Sequence, residues 1–200
     1  WCSGMPLSDS QTLYLAIATG VVLVALIFAL WLRRRRRQRE PDARLRAVAE
    51  DLLANFLLPD GDDGEIHIEF AALTADGVLV VDIKRVSGHV FGSDAMQDWT
   101  VIGERRRFTF ANPQPALYDR IAAVRRLLPD VPVDGYVVFT PGADFSKGLP
   151  AQTLLLDELI ERLAGRRREA GSAPENYRAG WDQLRHEAVA AQLGQLMKQG

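Results

Sequence analysis

The stretch from Leu13 to Leu32 carries no formal charge over 20 consecutive residues. A helix rises about 1.5 Å per residue, so a stretch of this length can cross the roughly 30 Å hydrocarbon core of a bilayer. A cleaved signal peptide would place its basic residues before the apolar core, whereas here the basic residues follow it. The sequence therefore predicts one transmembrane helix over residues 13–32.

The basic residues beside this stretch predict its orientation. Arg33–Arg37 and Arg39 follow it directly, and residues 1–12 contain no lysine or arginine. Positively charged flanks stay on the cytoplasmic side, where they also contact anionic lipids. We therefore expect a single-pass protein of a bacterial-type inner (plasma) membrane. Residues 1–12 would form a short extracytoplasmic N-terminus, residues 33–41 a basic juxtamembrane linker, and the remainder a cytoplasmic domain.

The charge balance changes after the linker. Eight of the 24 basic residues but only three of the 26 acidic residues precede position 47, so residues 47–200 hold 16 basic and 23 acidic residues. An acidic domain weakens any proposal of broad electrostatic attraction to nucleic acid. The single cysteine excludes an internal disulfide framework, and no phosphate loop, dinucleotide fingerprint or serine-hydrolase elbow is present. No organic cofactor is expected.

The hydrophobic pattern predicts an α/β domain over residues 42–150 and a helical extension over residues 151–200. The predicted elements of the domain are a helix from Asp42 to Phe56, strands at 65–73, 78–83, 99–102 and 107–110, a helix at 112–128 and a strand at 135–140. Two amphipathic helices joined by a solvated linker at 166–174 follow. Tyr177 and Trp181 on the last helix are interpreted as core anchors or as part of a self-association face. This order predicts a mixed central sheet flanked by helices.

Asp82 and Lys84 lie at the end of the most apolar predicted strand, and a strand's period of two places both on one face. A tight turn at Asp76-Gly77 would pair residues whose numbers sum to about 152 to 154, which places Glu69 opposite residues near 83 to 85. The three charged side chains can therefore converge.

This grouping has two interpretations. Two carboxylates and a carbonyl such as that of Ile83 are hard oxygen ligands suited to Mg²⁺, and a neighbouring lysine can position water and stabilise charge on a phosphodiester. An acid and a lysine two residues apart at a strand end are also typical of an exposed salt bridge. His67, His89 and His186 are scattered without ligand spacing, so we expect no metal site built from histidine.

Residues 68–92 resemble the core of the NERD family, the nuclease-related domain. The resemblance rests on the string Asp-Ile-Lys-x-x-Ser-Gly-x-x-x-Gly at 82–92, which Phe-x-Asn-Pro follows at 110–113. Trp99 and the apolar strand at 137–140 add to it, and the similar region covers roughly residues 43–145.

The resemblance implies a restriction-endonuclease-like fold and metal-dependent cleavage of phosphodiester bonds. Carried over by position, the catalytic residues would be Glu69, Asp82, Lys84 and a helical glutamate at Glu50. The metal would be Mg²⁺, held by Glu69, Asp82 and the carbonyl of Ile83. The predicted transmembrane helix makes the membrane one expected partner, and the resemblance implies a nucleic acid, DNA or RNA, as another.

Four positions depart from the family pattern. The family usually has Asp where this chain has Glu69 and Glu where it has Asp82, and it usually has Gln and His where this chain has Ala116 and Arg120. Three hypotheses follow. The chain is a membrane-anchored cytoplasmic Mg²⁺-dependent nuclease, or it is a catalytically degenerate scaffold or binding module that uses its C-terminal helices to recruit a protein partner or to self-associate. The third hypothesis is nucleic-acid binding without cleavage.

Overall fold

The computed structural model describes residues 20, 23–24, 26–28, 41–61, 64–170 and 173–198. The chain divides into two compact units, Trp1–Asp42 and Ala43–Gly200. The predicted N-terminus at 1–12 and nearly all of the linker at 33–41 lie outside the described residues. So does most of the transmembrane segment predicted at 13–32.

The few described residues of that segment are helical, and their large apolar side chains are each more than half exposed: Leu23, Val24, Leu26, Ile27 and Phe28. Within the described part of the chain, no helix combines the length and the hydropathy that crossing a membrane requires.

The second unit is built on a mixed five-stranded sheet flanked by helices. Its strands are β1 (Asp51–Pro59), β2 (Glu65–Thr74), β3 (Gly77–Lys84), β7 (Val133–Phe139) and β9 (Thr153–Leu155). The spatial order is β1-β2-β3-β7-β9; β1, β2 and β3 pair antiparallel, and β3, β7 and β9 pair parallel. The helices are α1 (residues 41–48), α2 (Gln114–Leu127), α3 (Leu156–Ala170) and α4 (Arg178–Lys198), with a 3₁₀ helix at Ala173–Tyr177. The predicted α/β class with a mixed sheet is confirmed.

A second, four-stranded sheet is formed by three strands that lie between β3 and α2 in the chain and by one strand that follows β7. Its strands are β4 (Gly88–Phe91), β5 (Asp98–Ile102), β6 (Arg107–Ala111) and β8 (Ala143–Asp144), in the order β6-β5-β4-β8. The strands predicted at 99–102 and 107–110 are therefore confirmed, but they belong to this sheet and not to the central one.

The central sheet is buried on both faces, which explains the unbroken apolar run of β3. Val78 and Val80 face the core layer that also contains residues of α2, α4 and the second sheet, whereas Leu79 and Val81 face the layer that contains residues of α1 and α3. A strand with two covered faces needs apolar residues at every position, so β3 is a rigid base for the charged residues at its end.

The helix predicted from Asp42 to Phe56 is wrong beyond residue 48. Residues from Asp51 form β1, which pairs with β2 from Asp51 opposite Leu73 to Pro59 opposite Glu65. Ala54 packs against one core layer and Phe56 lies in the other, and Asn55 between them has a positive φ of 52°. Because β1 changes face at Asn55, it lacks the alternation that identifies a half-buried strand, and its apolar spacing imitates a helix.

The compact unit also includes residues 151–200. Strand β9 extends the central sheet, and Trp181, Leu184 and Ala188 of α4 are buried in the layer shared with α2. The solvated linker predicted at 166–174 is wrong at its start, because α3 continues to Ala170. Trp181 is thus a core anchor within its own domain, which removes it from the proposed self-association face.

Asp51 at the start of β1 fixes α4 to the sheet. Its Oδ2 accepts a hydrogen bond of 3.0 Å from the Trp181 indole N–H and pairs with Arg185. Burial alone would raise the pKa of Asp51. The bonds from Trp181 and the Leu52 amide, with the charges of Arg185 and Arg178, outweigh burial and hold that pKa below its ordinary value. The ionised carboxylate is therefore the form that the folded domain stabilises.

Candidate active site at the end of strand β3

Asp82 and Lys84 lie at the C-terminal end of β3, on one face of the strand. The Asp82 side chain is only 7% exposed, and the Lys84 side chain is 30% exposed. Lys84 Nζ lies 3.0 Å from Asp82 Oδ1. The backbone here is held by β7, since the amide of Thr140 donates to the carbonyl of Lys84 over 3.1 Å. The predicted placement of this pair is therefore observed, with the acid buried and the amine reaching solvent.

Arg120 on α2 supplies a second cation to the same carboxylate. Its Nη1 lies 3.2 Å from Asp82 Oδ2, and its Nε donates to the carbonyl of His67 over 2.8 Å. The helix presents Leu117 and Ile121 to the core, which holds Arg120 between them at the site. The sequence had marked Arg120 only as a replacement of the family's usual histidine. Its contact with Asp82 depends on how α2 packs on the sheet, which no local pattern encodes.

The Glu69 side chain reaches the site from the neighbouring strand, β2. The residue numbers in the β2–β3 hairpin sum to 151, as in Phe70 opposite Val81, and not to the predicted 152 to 154. Glu69 is therefore nearest to Asp82 in register. Its Oε2 accepts a 2.7 Å bond from the Ile83 amide, where the backbone ladder has ended, and its Oε1 lies 3.1 Å from Arg85 Nη1.

The surroundings of Glu69 favour its protonated form. Burial raises the pKa of Glu69, and the negative charge of Asp82 raises it further, whereas the bonds from Ile83 and Arg85 act in the opposite direction. Burial outweighs them, so the pKa of Glu69 lies above its ordinary value. Any ligand that requires the ionised carboxylate therefore competes with a proton more strongly here than at an exposed glutamate.

Glu50 is not part of this group. Its amide donates to the carbonyl of Leu73 over 2.9 Å, and its Oε1 lies 2.8 Å from Arg167 Nε on α3. Leu73 is four residues from Glu69 along β2, or roughly 13 Å at about 3.3 Å per residue. Glu50 also follows α1 and is not helical. The structure brings together Glu69, Asp82, Lys84 and the backbone of Ile83, and it places Glu50 at the other end of the strands.

The donor chemistry at the site fits Mg²⁺, which proteins often bind through one or two carboxylates together with substrate phosphates. In the described residues, however, no group of three or more histidine, cysteine or acidic side chains is arranged to hold a metal ion. All four carboxylate oxygens already accept bonds from N–H donors, supplied by Lys84, Arg120, Ile83 and Arg85. A metal ion would therefore share these oxygens with the N–H donors or displace one of them.

Asp82 and Lys84 line a cleft of about 470 Å³, here named the site cleft. Charged and polar groups line one part of it, among them Asp82, Lys84, Arg85, Asn112 and Arg120; Phe108 and Phe110 of β6 line another. A phosphate in this cleft would meet cations from both β3 and α2. The site is thus accessible to a charged substrate although its acid is buried.

The remaining motif residues hold the elements around the cleft in place, and of these residues Asn112 also lines it. A Cβ on Gly92 would lie 2.3 Å from the Trp99 ring, so only glycine allows β4 to approach Trp99 this closely. Asn112 Oδ1, just before α2, accepts a hydrogen bond from the Gln114 amide over 2.9 Å. Gln114 is buried and donates to Asp94 Oδ1 over 2.7 Å and to the carbonyl of Ala151 over 2.8 Å. These residues have structural roles.

Comparison with family models gives a match to the nuclease-related domain (NERD) over residues 35–140. The match spans more than half of the chain and includes Glu69, Asp82 and Lys84. Comparisons with curated proteins and with solved structures give no match. The chain belongs to the nuclease-related domain family.

Proposed function

We propose that this protein is a membrane-anchored nuclease that hydrolyses phosphodiester bonds in DNA or RNA with the help of Mg²⁺. The observation that carries the proposal is the Asp82–Lys84 pair, 3.0 Å apart at the end of a rigid strand and open to the site cleft. Membership of a nuclease-related family supports it. Both the acid and the amine that metal-assisted hydrolysis uses are present within one side-chain length of each other.

Each residue of the site would have a distinct role. Asp82 and Glu69 would hold the metal, which polarises the scissile phosphate and lowers the pKa of a bound water. Lys84 Nζ reaches solvent beside Asp82, where it can orient the attacking water by a hydrogen bond. Arg120 is fixed by the carbonyl of His67, so its guanidinium can stabilise the charge that develops on the phosphate without first being ordered.

A second candidate function is a binding module without hydrolytic activity. The pairing of all four carboxylate oxygens with N–H donors favours it, because a site that is neutralised by its own cations has less need of a metal. In that function Lys84, Arg85 and Arg120 would bind a phosphate group and the acids would only position them. Metal binding decides between the two functions.

The first test measures Mg²⁺ binding to the full chain in nonionic detergent by calorimetry, with and without a phosphorothioate oligonucleotide. We expect Asp82→Asn to weaken Mg²⁺ binding at least about 10-fold, because an amide oxygen lacks the charge that holds a hard divalent cation. Asp130→Asn, at an exposed position on the loop after α2, is the matched control. Folding of each variant is checked by circular dichroism.

Binding that is lost in Asp82→Asn and kept in Asp130→Asn supports the nuclease. A folded wild-type chain that binds no Mg²⁺ under either condition contradicts it and supports the binding module.

Membrane anchoring by residues 13–32, with the domain on the cytoplasmic side, is also part of the proposal. The uncharged stretch, the arginine run after it, and the exposure of Val24 and Ile27 on a helix support it. We expect the full chain to resist extraction of bacterial membranes by alkaline carbonate. Val24→Arg combined with Ile27→Arg should release it, since each arginine near a helix centre costs about 2.5–3.5 kcal/mol on insertion scales.

The control for this experiment is Val189→Arg, which changes an exposed valine on α4. It should stay with the membrane fraction. Extraction of the wild-type chain by carbonate would contradict the anchor.

A further inference from the structure

A second cleft, here named the hairpin cleft, continues from the candidate site toward the turn between β5 and β6. It has a volume of about 770 Å³, and Arg85, His89, Glu104, Arg105 and Arg106 are among its lining residues. The two clefts share Arg85, Val86 and Phe108. The two clefts are therefore adjacent; together, here named the path, they extend from Asp82 past Phe108 to the turn between β5 and β6.

Positive charge is concentrated at the end of this path. Arg105, Arg106 and Arg107 are all exposed, and in the part of the chain that the structure describes none of them lies within 4 Å of a carboxylate. Other arginines of the domain, such as Arg166 and Arg167, form ion pairs. Three adjacent cations left without acidic partners are available to an anionic ligand.

Two acids also line the hairpin cleft, but they do not cancel this charge. Asp144 Oδ2 on β8 lies 2.6 Å from His89 Nδ1 on β4, and Glu104 is the acid next to Arg105 in the sequence. The two clefts are lined by five basic residues, Lys84, Arg85, Arg105, Arg106 and Arg120, and by three acids, Asp82, Glu104 and Asp144. The basic residues remain in excess when Glu69, the partner of Arg85, is added to the acids. This excess is local, because residues 47–200 as a whole are acidic.

Aromatic rings line the middle of the path. Phe108 and Phe110 are half-buried on β6, with ring centroids 6.4 Å apart and planes inclined by 38°. Trp99 and Phe110 pack edge to face with ring centroids 6.2 Å apart, and the Arg106 guanidinium lies 5.4 Å from the centroid of Phe108. The rings are therefore fixed in place while part of each still faces the cleft.

We propose that the joined clefts bind one strand of nucleic acid, with Arg105 and Arg106 on its phosphates and unpaired bases against Phe108 and Phe110. Binding proteins for single strands combine a positive groove with aromatic platforms in this way. Paired bases in a duplex present only their edges in the grooves, so the rings cannot stack on them. The acidic remainder of the domain also offers few cations to the second strand of a duplex.

The binding itself stands on these contacts; only the delivery of the strand to Asp82 rests on the proposed nuclease function. The path explains how an acidic domain could bind a polyanionic substrate, because its basic residues are concentrated along the clefts that the nucleic-acid strand would occupy. It also assigns a substrate form to the site: single-stranded DNA or RNA, entering over the hairpin tip.

The test uses the full chain in nonionic detergent with a chelator, so that no metal-dependent cleavage takes place. Fluorescence anisotropy reports binding of labelled 12-nucleotide DNA and RNA strands and of the matching DNA duplex. We expect the single strands to bind more tightly than the duplex, and Arg105→Ala combined with Arg106→Ala to weaken single-strand binding at least about 10-fold. Loss of two phosphate contacts should also reduce the slope of log affinity against log salt by about 1.4, at about 0.7 per phosphate.

Two further variants separate charge from stacking. Arg168→Ala with Arg178→Ala removes the same charge from α3 and α4 and leaves the arginine run after residue 32 intact, so its binding should equal that of the wild type. Phe108→Leu keeps an apolar side chain but removes the ring, and we expect it to weaken single-strand binding about 5-fold or more with an unchanged salt slope.

Equal binding by the Arg105/Arg106 variant and its control overturns the proposal, and so does duplex binding as tight as that of the single strand. A cleavage assay with Mg²⁺ on the same proteins keeps the two proposals apart. Single-strand binding without cleavage contradicts only the nuclease function, whereas cleavage with unchanged binding in the Arg105/Arg106 variant contradicts only the strand path.

Discussion

Replacing Lys84 by alanine is expected to lower the rate of Mg²⁺-dependent cleavage at least about 100-fold, the size of effect typical of a lost proton-transfer or charge-stabilising group. Lys84 lies at the end of β3 with its amine in the site cleft and outside both core layers, so its removal should not unfold the domain. Lys84 Nζ contacts Asp82 Oδ1, which in the proposed function would be a metal ligand, so we expect Mg²⁺ to bind as tightly as in the wild type, or more tightly. Loss of rate without loss of metal would assign Lys84 to the chemical step.

The measurement is single-turnover cleavage of a labelled oligonucleotide by the full chain, together with calorimetry of Mg²⁺ binding. Lys147→Ala is the control, since Lys147 is exposed in the loop after β8 and lies outside the site cleft. Lys84→Arg, which keeps the charge but changes its shape, should recover part of the rate. Cleavage by Lys84→Ala at the wild-type rate would remove Lys84 from the mechanism.

The central hairpin could be predicted from the sequence because its signals are local. The alternation of β2, the apolar run of β3 and the Asp76-Gly77 turn act over neighbouring residues, so the strands and the shared face of Asp82 and Lys84 were correct. The predicted register was wrong, because the numbers of paired residues sum to 151 and not to 152–154. That error was enough to place Glu69 opposite the residues after Asp82.

The other parts of the site depend on contacts between distant segments. Arg120 meets Asp82 across 38 positions of sequence, and the Glu69 side chain replaces a backbone acceptor where the β2–β3 ladder ends. Neither contact leaves a periodic signal. The substitution of the family's histidine by Arg120 was visible in the sequence, but only the packing of α2 shows that it adds a cation to the acid and does not simply remove a functional group.

The elements that were missed share a physical cause. Strand β1 is covered on both faces and changes face at Asn55, so its apolar spacing fits a helix as well as a strand. Strands β4 and β8 pair over only Gly88–Ala143 and His89–Asp144, and β9 joins β7 over three residue pairs. Such short strands form because neighbouring strands supply their hydrogen-bond partners, and the β-propensity of their own residues contributes little. Glu50 was misplaced for the same reason, because the predicted helix ends at residue 48 and Glu50 lies in the approach to β1.

Replacing Trp181 by alanine is expected to lower the free energy of unfolding of the domain by about 3–5 kcal/mol, the usual cost of truncating a fully buried aromatic side chain. Trp181 is fully buried in the layer between α2, α4 and the central sheet, and its indole N–H donates to Asp51 over 3.0 Å. The alanine variant leaves both a cavity and a partly buried carboxylate with one donor fewer.

For the same reason, deleting residues 175–200 should unfold the domain. Loss of partner binding in such a deletion would therefore say nothing about a docking surface.

The measurement is urea unfolding of the full chain in detergent at pH 7, where Asp51 is ionised, followed by the circular dichroism of the domain. Trp181→Phe retains an apolar ring but loses the bond to Asp51, and we expect a smaller loss of about 1–2 kcal/mol. Val189→Ala, on the exposed face of the same helix, should change stability by less than about 0.5 kcal/mol. A Trp181→Ala variant as stable as the Val189 control would mean that α4 does not complete the core. Residues 175–200 would then be free to act as the recruiting segment of the binding-module hypothesis.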